Sequence, residues 1–236
     1  MFTMDSEYMK RLEKFINDPA TAPKERDMPR GLEGNIAVED IRKLNQYLLY
    51  IVIDRSLSMR FNGLEEAVRK GLEDVKYVVA TSDENRFGQL QIAITLFGST
   101  LDMRPFQFWE DVDISYDANE ISTYLYDAVI ESCQNMVAQY DILREICEVR
   151  GTMLIFTDGE ENGSQHTLQD LQKALKDMIR SDSIGLKRNI KYLVAAFKDV
   201  DLKQLGIDFD TEPIYIGDGH RLRRLLRFVG RSVIID

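Results

Sequence analysis

The chain has 236 residues, 44% hydrophobic and 30% charged, enough for the buried core of one large domain or two small ones. Its 40 acidic and 30 basic side chains leave a net charge of −10, which argues against a general nucleic-acid binder. Two cysteines, Cys133 and Cys147, each in a segment of helical character, and two distant histidines, His166 and His220, show no ligand spacing, which argues against a structural zinc site and suggests buried thiols in a reducing compartment.

The opening MFTMDSEYMKRLEKF lacks the apolar core of a secretory signal. The longest apolar run, Tyr47 to Ile53, falls far short of the roughly 20 residues that span a bilayer. The expectation is a cytoplasmic protein that engages neither membrane nor nucleic acid. Residues 1–20 place Met4, Tyr8, Leu12 and Phe15 on one helical stripe, and the proline-containing stretch 18–36 reads as an irregular arm. Residues 1–36 are therefore taken as an N-terminal helix and arm, and 37–236 as the main domain.

From there the pattern is regular. Tyr47–Asp54 is a strand with almost no alternation, as expected when both faces are covered. Leu64–Ala80 carries apolar residues at helical spacing. Gln91–Phe97 and Ser99–Pro105 are short strands around Gly98, suggesting a hairpin or bend. Ile121–Tyr140 is predicted helical, Thr152–Thr157 a continuous apolar strand, and Thr167–Arg180 a helix capped by Thr167. Ile190–Phe197 and Pro213–Ile216 supply further strands. HRLRRLLRFVGRSV closes the chain as a helix, with leucines packed inward and arginines on a solvated face. Strands alternating with helices predict an α/β fold, with a mostly parallel sheet covered by helices on both faces.

Two central-type strands end in aspartate, IVID at Asp54 and MLIFTD at Asp158. Ligands of open α/β sheets bind beyond the carboxyl ends of strands, where strand order reverses. If these strands are neighbours there, two carboxylates share one crevice and repel unless a proton or a cation lies between them. Ser56 and Ser58 follow Asp54 at alternate positions, so an extended loop would turn all three side chains the same way. Carboxylates and hydroxyls without nearby His or Cys suit Mg²⁺ or Mn²⁺. The competing expectation is a serine-rich turn in which Asp54 bonds only loop amides.

Three segments in order, DRSLSM from Asp54, Thr123 in STYLYDA and FTDGEEN around Asp158, resemble the metal-ion-dependent adhesion site of von Willebrand factor A (VWA) domains. The resemblance covers about residues 40–236. It implies a three-layer Rossmann-like VWA fold, with one short antiparallel edge strand in an otherwise parallel sheet. Asp54, Ser56, Ser58, Thr123 and Asp158 would hold Mg²⁺ (or Mn²⁺ or Ca²⁺), with one position left for an acidic side chain of a partner. RLLRFVGRSV is similar to the closing helix of bacterial cytoplasmic VWA proteins associated with tellurite resistance, which suggests an AAA+ ATPase, kinase or phosphatase as partner.

Leu57 stands where the family commonly has glycine, and Ile121–Ser122 precede Thr123 where glycines are frequent. Leu57 is expected either to tuck into the core or to form an apolar rim contact. Glu160, Glu161 and Asn162 are expected in a solvated loop, and Asp127 one turn from the site. The function these features imply is a metal-dependent protein-interaction module rather than an enzyme. The alternatives are a hydrolase or phosphatase using the same crevice, and a scaffold with a vestigial site. No Gly-x-Gly-x-x-Gly or Walker loop supports nucleotide binding.

Overall fold

A computed structural model describes residues 45–81, 89–158, 161–180, 187–197 and 214–235, with side chains to Gly230. The N-terminal helix and arm, and the boundary at residue 37, lie outside the described residues. The elements in chain order are β1 (Gln46–Asp54), α1 (Leu57–Phe61), α2 (Glu65–Ala80), β2 (Leu90–Phe97), β3 (Leu101–Phe108), α3 (Leu125–Leu143), β4 (Val149–Thr157), α4 (Leu168–Ile179), β5 (Ile190–Phe197), β6 (Ile214–Ile216) and α5 (Gly219–Ile235). No helix among the described residues is long and apolar enough to cross a membrane.

The strands form one sheet in the order β3-β2-β1-β4-β5-β6. Every neighbouring pair is parallel except β2 and β3, so the antiparallel edge strand predicted by resemblance is present, at eight residues long. Pro105 lies in this edge strand where its register with β2 shifts, a place that loses no ladder hydrogen bond to a missing N–H.

β1 is buried on both faces because its alternate residues enter different cores. Leu49, Ile51 and Ile53 join a cluster with Val68, Leu72, Leu222 and Leu226, beneath α2 and α5. Leu48, Tyr50 and Val52 join a second cluster with Val129, Cys133, Leu171 and Leu175, beneath α3 and α4. Truncating one of these leucines to alanine would cost about 2–5 kcal/mol. Gly71 lets α2 approach α5, since a Cβ there would overlap the Leu226 side chain. The closing helix packs as predicted, with Leu222, Leu225, Leu226 and Val229 buried, Arg221 and Arg227 exposed, and Arg223 paired with Asp74 at 2.6 Å.

Three expectations need correction. The helix predicted over 121–140 begins only at Leu125, because hydrogen bonds to neighbouring loops hold the preceding residues. Cys147 sits just beyond α3 rather than in a helix, its thiol donating to the Leu143 carbonyl at 3.2 Å. The extended loop expected after Asp54 is instead helical from Leu57, with only Ser56 extended ahead of it.

The chain builds β2 and β3 on one side of β1 and then crosses to β4 on the other. Strand order therefore reverses between β1 and β4, and the crevice beyond their carboxyl ends is the switch point. Asp54 and Asp158 both stand there.

Candidate metal centre

Asp54 ends β1 with no exposed surface. One carboxylate oxygen, Oδ1, accepts from the Ser56 backbone N–H at 2.8 Å, and Oδ2 accepts from the Thr157 hydroxyl at 2.9 Å. Its own carbonyl accepts from the buried Tyr116 hydroxyl at 2.7 Å. The chain end of β1 is thereby fixed while the carboxylate remains the last group before the crevice.

A chain of oxygens crosses from there to β4. The Ser56 and Ser58 hydroxyls lie 2.7 Å apart, and Ser58 donates to Asp158 Oδ1 at 2.9 Å. A hydroxyl has one hydrogen, so with Ser58 giving its own to Asp158, Ser56 is the donor between the serines. Asn62 Nδ2 donates to Asp158 Oδ2 at 2.7 Å. The α1 turn explains this convergence, because Ser58 and Asn62 are four residues apart and share one helical face.

Both carboxylates resist ionisation as the protein stands. Burial pushes the Asp54 carboxyl up from 3.8 to about 6, against the pull of its Ser56 and Thr157 hydrogen bonds and with help from the Asp158 charge. Asp158 is also raised by burial, opposed by its bonds from Asn62 and Ser58. Among the described residues no cation contributes to either shift.

Thr123 lies on a separate loop just ahead of α3 and is itself buried. Its N–H donates to Asn162 Oδ1 at 2.9 Å, and the Asn162 N–H returns to the Thr123 carbonyl at 3.2 Å. The preceding residue pair ties this loop to the first one. Leu57 N–H donates to the Glu120 carbonyl at 2.7 Å, and Arg55 Nη2 donates to Glu120 Oε1 at 2.9 Å. Two glycines give the loop its space: a Cβ at Gly98 would overlap Glu120, and one at Gly163 would overlap the Tyr124 ring.

The structure thus joins Asp54, Ser56, Ser58 and Asp158 in one hydrogen-bonded run, while Thr123 bonds Asn162 and its loop is tied to Leu57 through Glu120. Leu57 is half-buried, neither in the core nor fully outside. Glu161 is more than the solvated residue expected, whereas Asn162 is exposed as expected and also bonds Thr123. Glu161 Oε2 accepts from the Tyr126 N–H at the start of α3, and its Oε1 accepts from the Gly163 and Ser164 N–H groups. Glu160 lies outside the described residues. Asp127 accepts from the Gln165 and His166 N–H groups and from His166 Nδ1 at 2.8 Å, so it pins the loop after β4.

Sequence reasoning missed Asn62, Thr157 and Tyr116, and named Asn162 without its bond to Thr123. The first was findable from its i+4 spacing to Ser58, had the short helix been foreseen. Thr157 follows from pairing Ile53 with Phe156, which sets Asp54 beside it. The sequence carries no local signal for Tyr116 or Asn162, whose partners lie 62 and 39 residues away.

The donor set is chemically suited to a hard dication. Among the described residues it offers two buried carboxylates without cationic partners, flanked by hydroxyl oxygens, with no soft ligand. Among the described residues no group of three or more His, Cys, Asp or Glu side chains is placed to hold a metal, so a carboxylate-rich or histidine cage is not the alternative there.

No protein-family model and no curated protein sequence matches the chain. Solved structures do match by shape. A von Willebrand factor type A protein from Catenulispora acidiphila aligns with TM-score 0.58 and 15% identity over 80% of this chain and 43% of its own. The pilus adhesin SpaC from Lactobacillus rhamnosus GG aligns with TM-score 0.59 and 11% identity over 80% of this chain and 31% of its own. Proximal thread matrix protein 1 of the mussel byssus, in a structure with a zinc-occupied MIDAS motif, aligns with TM-score 0.53 and 12% identity over 79% and 48%. The chain therefore spans less than half the length of these matched chains. The mostly parallel sheet, its one antiparallel strand and its flanking helices form a Rossmann-like VWA fold.

Proposed function

We propose that the chain is a metal-dependent protein-interaction module that binds a divalent ion at Asp54, Ser56, Ser58, Thr123 and Asp158. The observation that carries the reading is the pair of buried carboxylates, Asp54 held by the Ser56 N–H and Asp158 by the Ser58 hydroxyl with the two serine hydroxyls in contact, and no cation beside them among the described residues. Mg²⁺ or Mn²⁺ fits the oxygen-only set, and Ca²⁺ is the larger alternative. When bound, the ion supplies a Lewis-acidic point of attachment. Asp54 and Asp158 would neutralise its charge, and Asn62, Thr157, Glu120 and Asn162 would keep the ligand loops in place. Two carboxylates balance a dication and leave room for a third from outside. The partner is therefore a protein presenting an acidic side chain, and the mussel structure with zinc in its MIDAS motif makes metal attachment on this fold a sound precedent.

Calorimetric titration of Mg²⁺ and Mn²⁺ into the wild type, Asp54→Ala and Ser58→Ala tests this. Saturable binding by the wild type, weakened on the order of a hundredfold by Asp54→Ala and less by Ser58→Ala, is the expected pattern. Equal binding by all three proteins sinks the site assignment. Metal-dependent turnover of a phosphoester that vanishes in Asp54→Ala would replace the interaction reading with a hydrolytic one.

A further inference from the structure

Seven large hydrophobic side chains are exposed among the described residues, and the two most exposed, Ile121 at 83% and Phe61 at 81%, both belong to segments that build the candidate centre. Scattered exposed apolar residues are ordinary on any surface. Two at the extreme of exposure, on segments that the Leu57–Glu120 backbone bond joins, are a different matter.

Phe61 closes α1. At about 100° per residue, Ser58 and Asn62 share the stripe that hydrogen-bonds Asp158, while Met59 points into the core. Leu57 and Phe61 make a second stripe, about 100° from the first and opposite Met59. An apolar strip thus runs along the outer side of the ligand-bearing strip. Ile121 follows Glu120, whose carbonyl receives the Leu57 N–H, and lies two residues before Thr123. Leu57 and Ile121, on segments joined by the Leu57–Glu120 bond, are therefore two of the three that line this rim.

We infer that Leu57, Phe61 and Ile121 form the apolar part of a docking surface whose occupant is an extended protein segment carrying one carboxylate with a large apolar side chain beside it. This rests on the metal-dependent reading above. The open coordination position of a hard dication favours an oxygen ligand such as a carboxylate. The rim selects its neighbours. Apolar side chains packed on Phe61 and Ile121 exclude water from the ion–carboxylate bond and strengthen it in a lower dielectric. A phosphate group or a small free carboxylate has nothing to place on that rim.

The test is a library of short random peptides displayed on phage, selected against the folded chain in Mg²⁺ or Mn²⁺ and eluted with chelator. Enriched peptides should carry Asp or Glu with Leu, Ile, Met, Phe or Trp within two positions. Phe61→Ser and Ile121→Ser should each weaken a synthetic version of the best peptide on the order of tenfold, with metal affinity unchanged. Ile142→Ser, a similarly exposed residue on α3, should leave peptide binding as it was. The inference is overturned if enriched peptides are acidic without apolar neighbours, if the two rim variants bind them as well as the wild type, or if metal binds but no chelator-sensitive peptide emerges. Loss of metal binding by the wild type itself would instead remove the proposed function, and this inference with it.

Discussion

The two ends of the sheet treat their carboxylates in opposite ways. At the amino end, beside the start of β5, Asp141 receives both arms of Arg188, at 2.9 and 2.7 Å, and the guanidinium holds its carboxyl below the usual range. Arg188 also donates to the Asp177 carbonyl at 3.0 Å, and the neighbouring Asn189 N–H bonds the Tyr140 hydroxyl at 2.8 Å. Charge there is compensated within the chain. At the carboxyl end, Asp54 and Asp158 are more deeply buried, have only neutral donors among the described residues and are pushed up rather than down. A buried carboxylate without a cation is costly. One end of the molecule is built for stability, while the other retains an electrostatic deficit that a ligand can fill.

The sharpest way to break this contrast is to remove one carboxylate from each end. Asp54→Ala should abolish metal binding, on the order of a hundredfold or more, yet leave the metal-free protein as stable as the wild type or more so, because a poorly compensated buried charge is gone. Asp141→Ala should do the reverse. It leaves Arg188, whose side chain is 10% exposed, without its partner, and should cost about 1–2 kcal/mol in urea denaturation while metal titration is unchanged. Comparable stability losses from both substitutions would erase the distinction between the two ends.

Asn162→Ala sharpens the contrast within the carboxyl end. Asn162 closes a reciprocal pair with the backbone of Thr123 without being a proposed ligand. Its loss should weaken metal binding roughly tenfold, as the removal of supporting groups does at other metal sites. Asp54→Ala should then act on the ion directly and Asn162→Ala only through the position of Thr123. An unchanged affinity would detach the Thr123 loop from the site.

The strands were legible because burial on both faces leaves long apolar runs, and IVID and MLIFTD could be set at one switch point before any coordinates. Asp54, Ser56, Ser58 and Asp158 were readable for the same reason, as polar residues placed abruptly at the ends of such runs. The loops between them were not. A five-residue helix such as α1 is too short for periodicity to register, so its Ser58–Asn62 face went unseen. The late start of α3 escaped because local pattern favours helix from Ile121, whereas bonds from Leu57, Gly98 and Asn162 hold residues 120–124 outside it. Glu161 and Asn162 look like solvated loop residues by composition. Only the tertiary fold brings them to the first turn of α3 and to Thr123.

The smallest expected effect separates the ends by pH. Asp54 has a folded value of about 6 against 3.8, so the folded state holds a proton more readily than the unfolded chain between those values. Stability contributed by this group therefore rises as pH falls, by about 1 kcal/mol between pH 7 and pH 5 in chelator, with Asp158 adding in the same direction. Asp141 is lowered instead, so its contribution is present above 3.8 and is lost only as pH falls through its folded value, below this window. Denaturation of the wild type in chelator at the two pH values should show the gain, and Asp54→Asn should diminish it. A saturating divalent ion should reverse the sign, because the ion needs both carboxylates ionised and protons compete with it as pH falls. Equal pH dependence with and without the ion would mean that Asp54 and Asp158 are not where it binds.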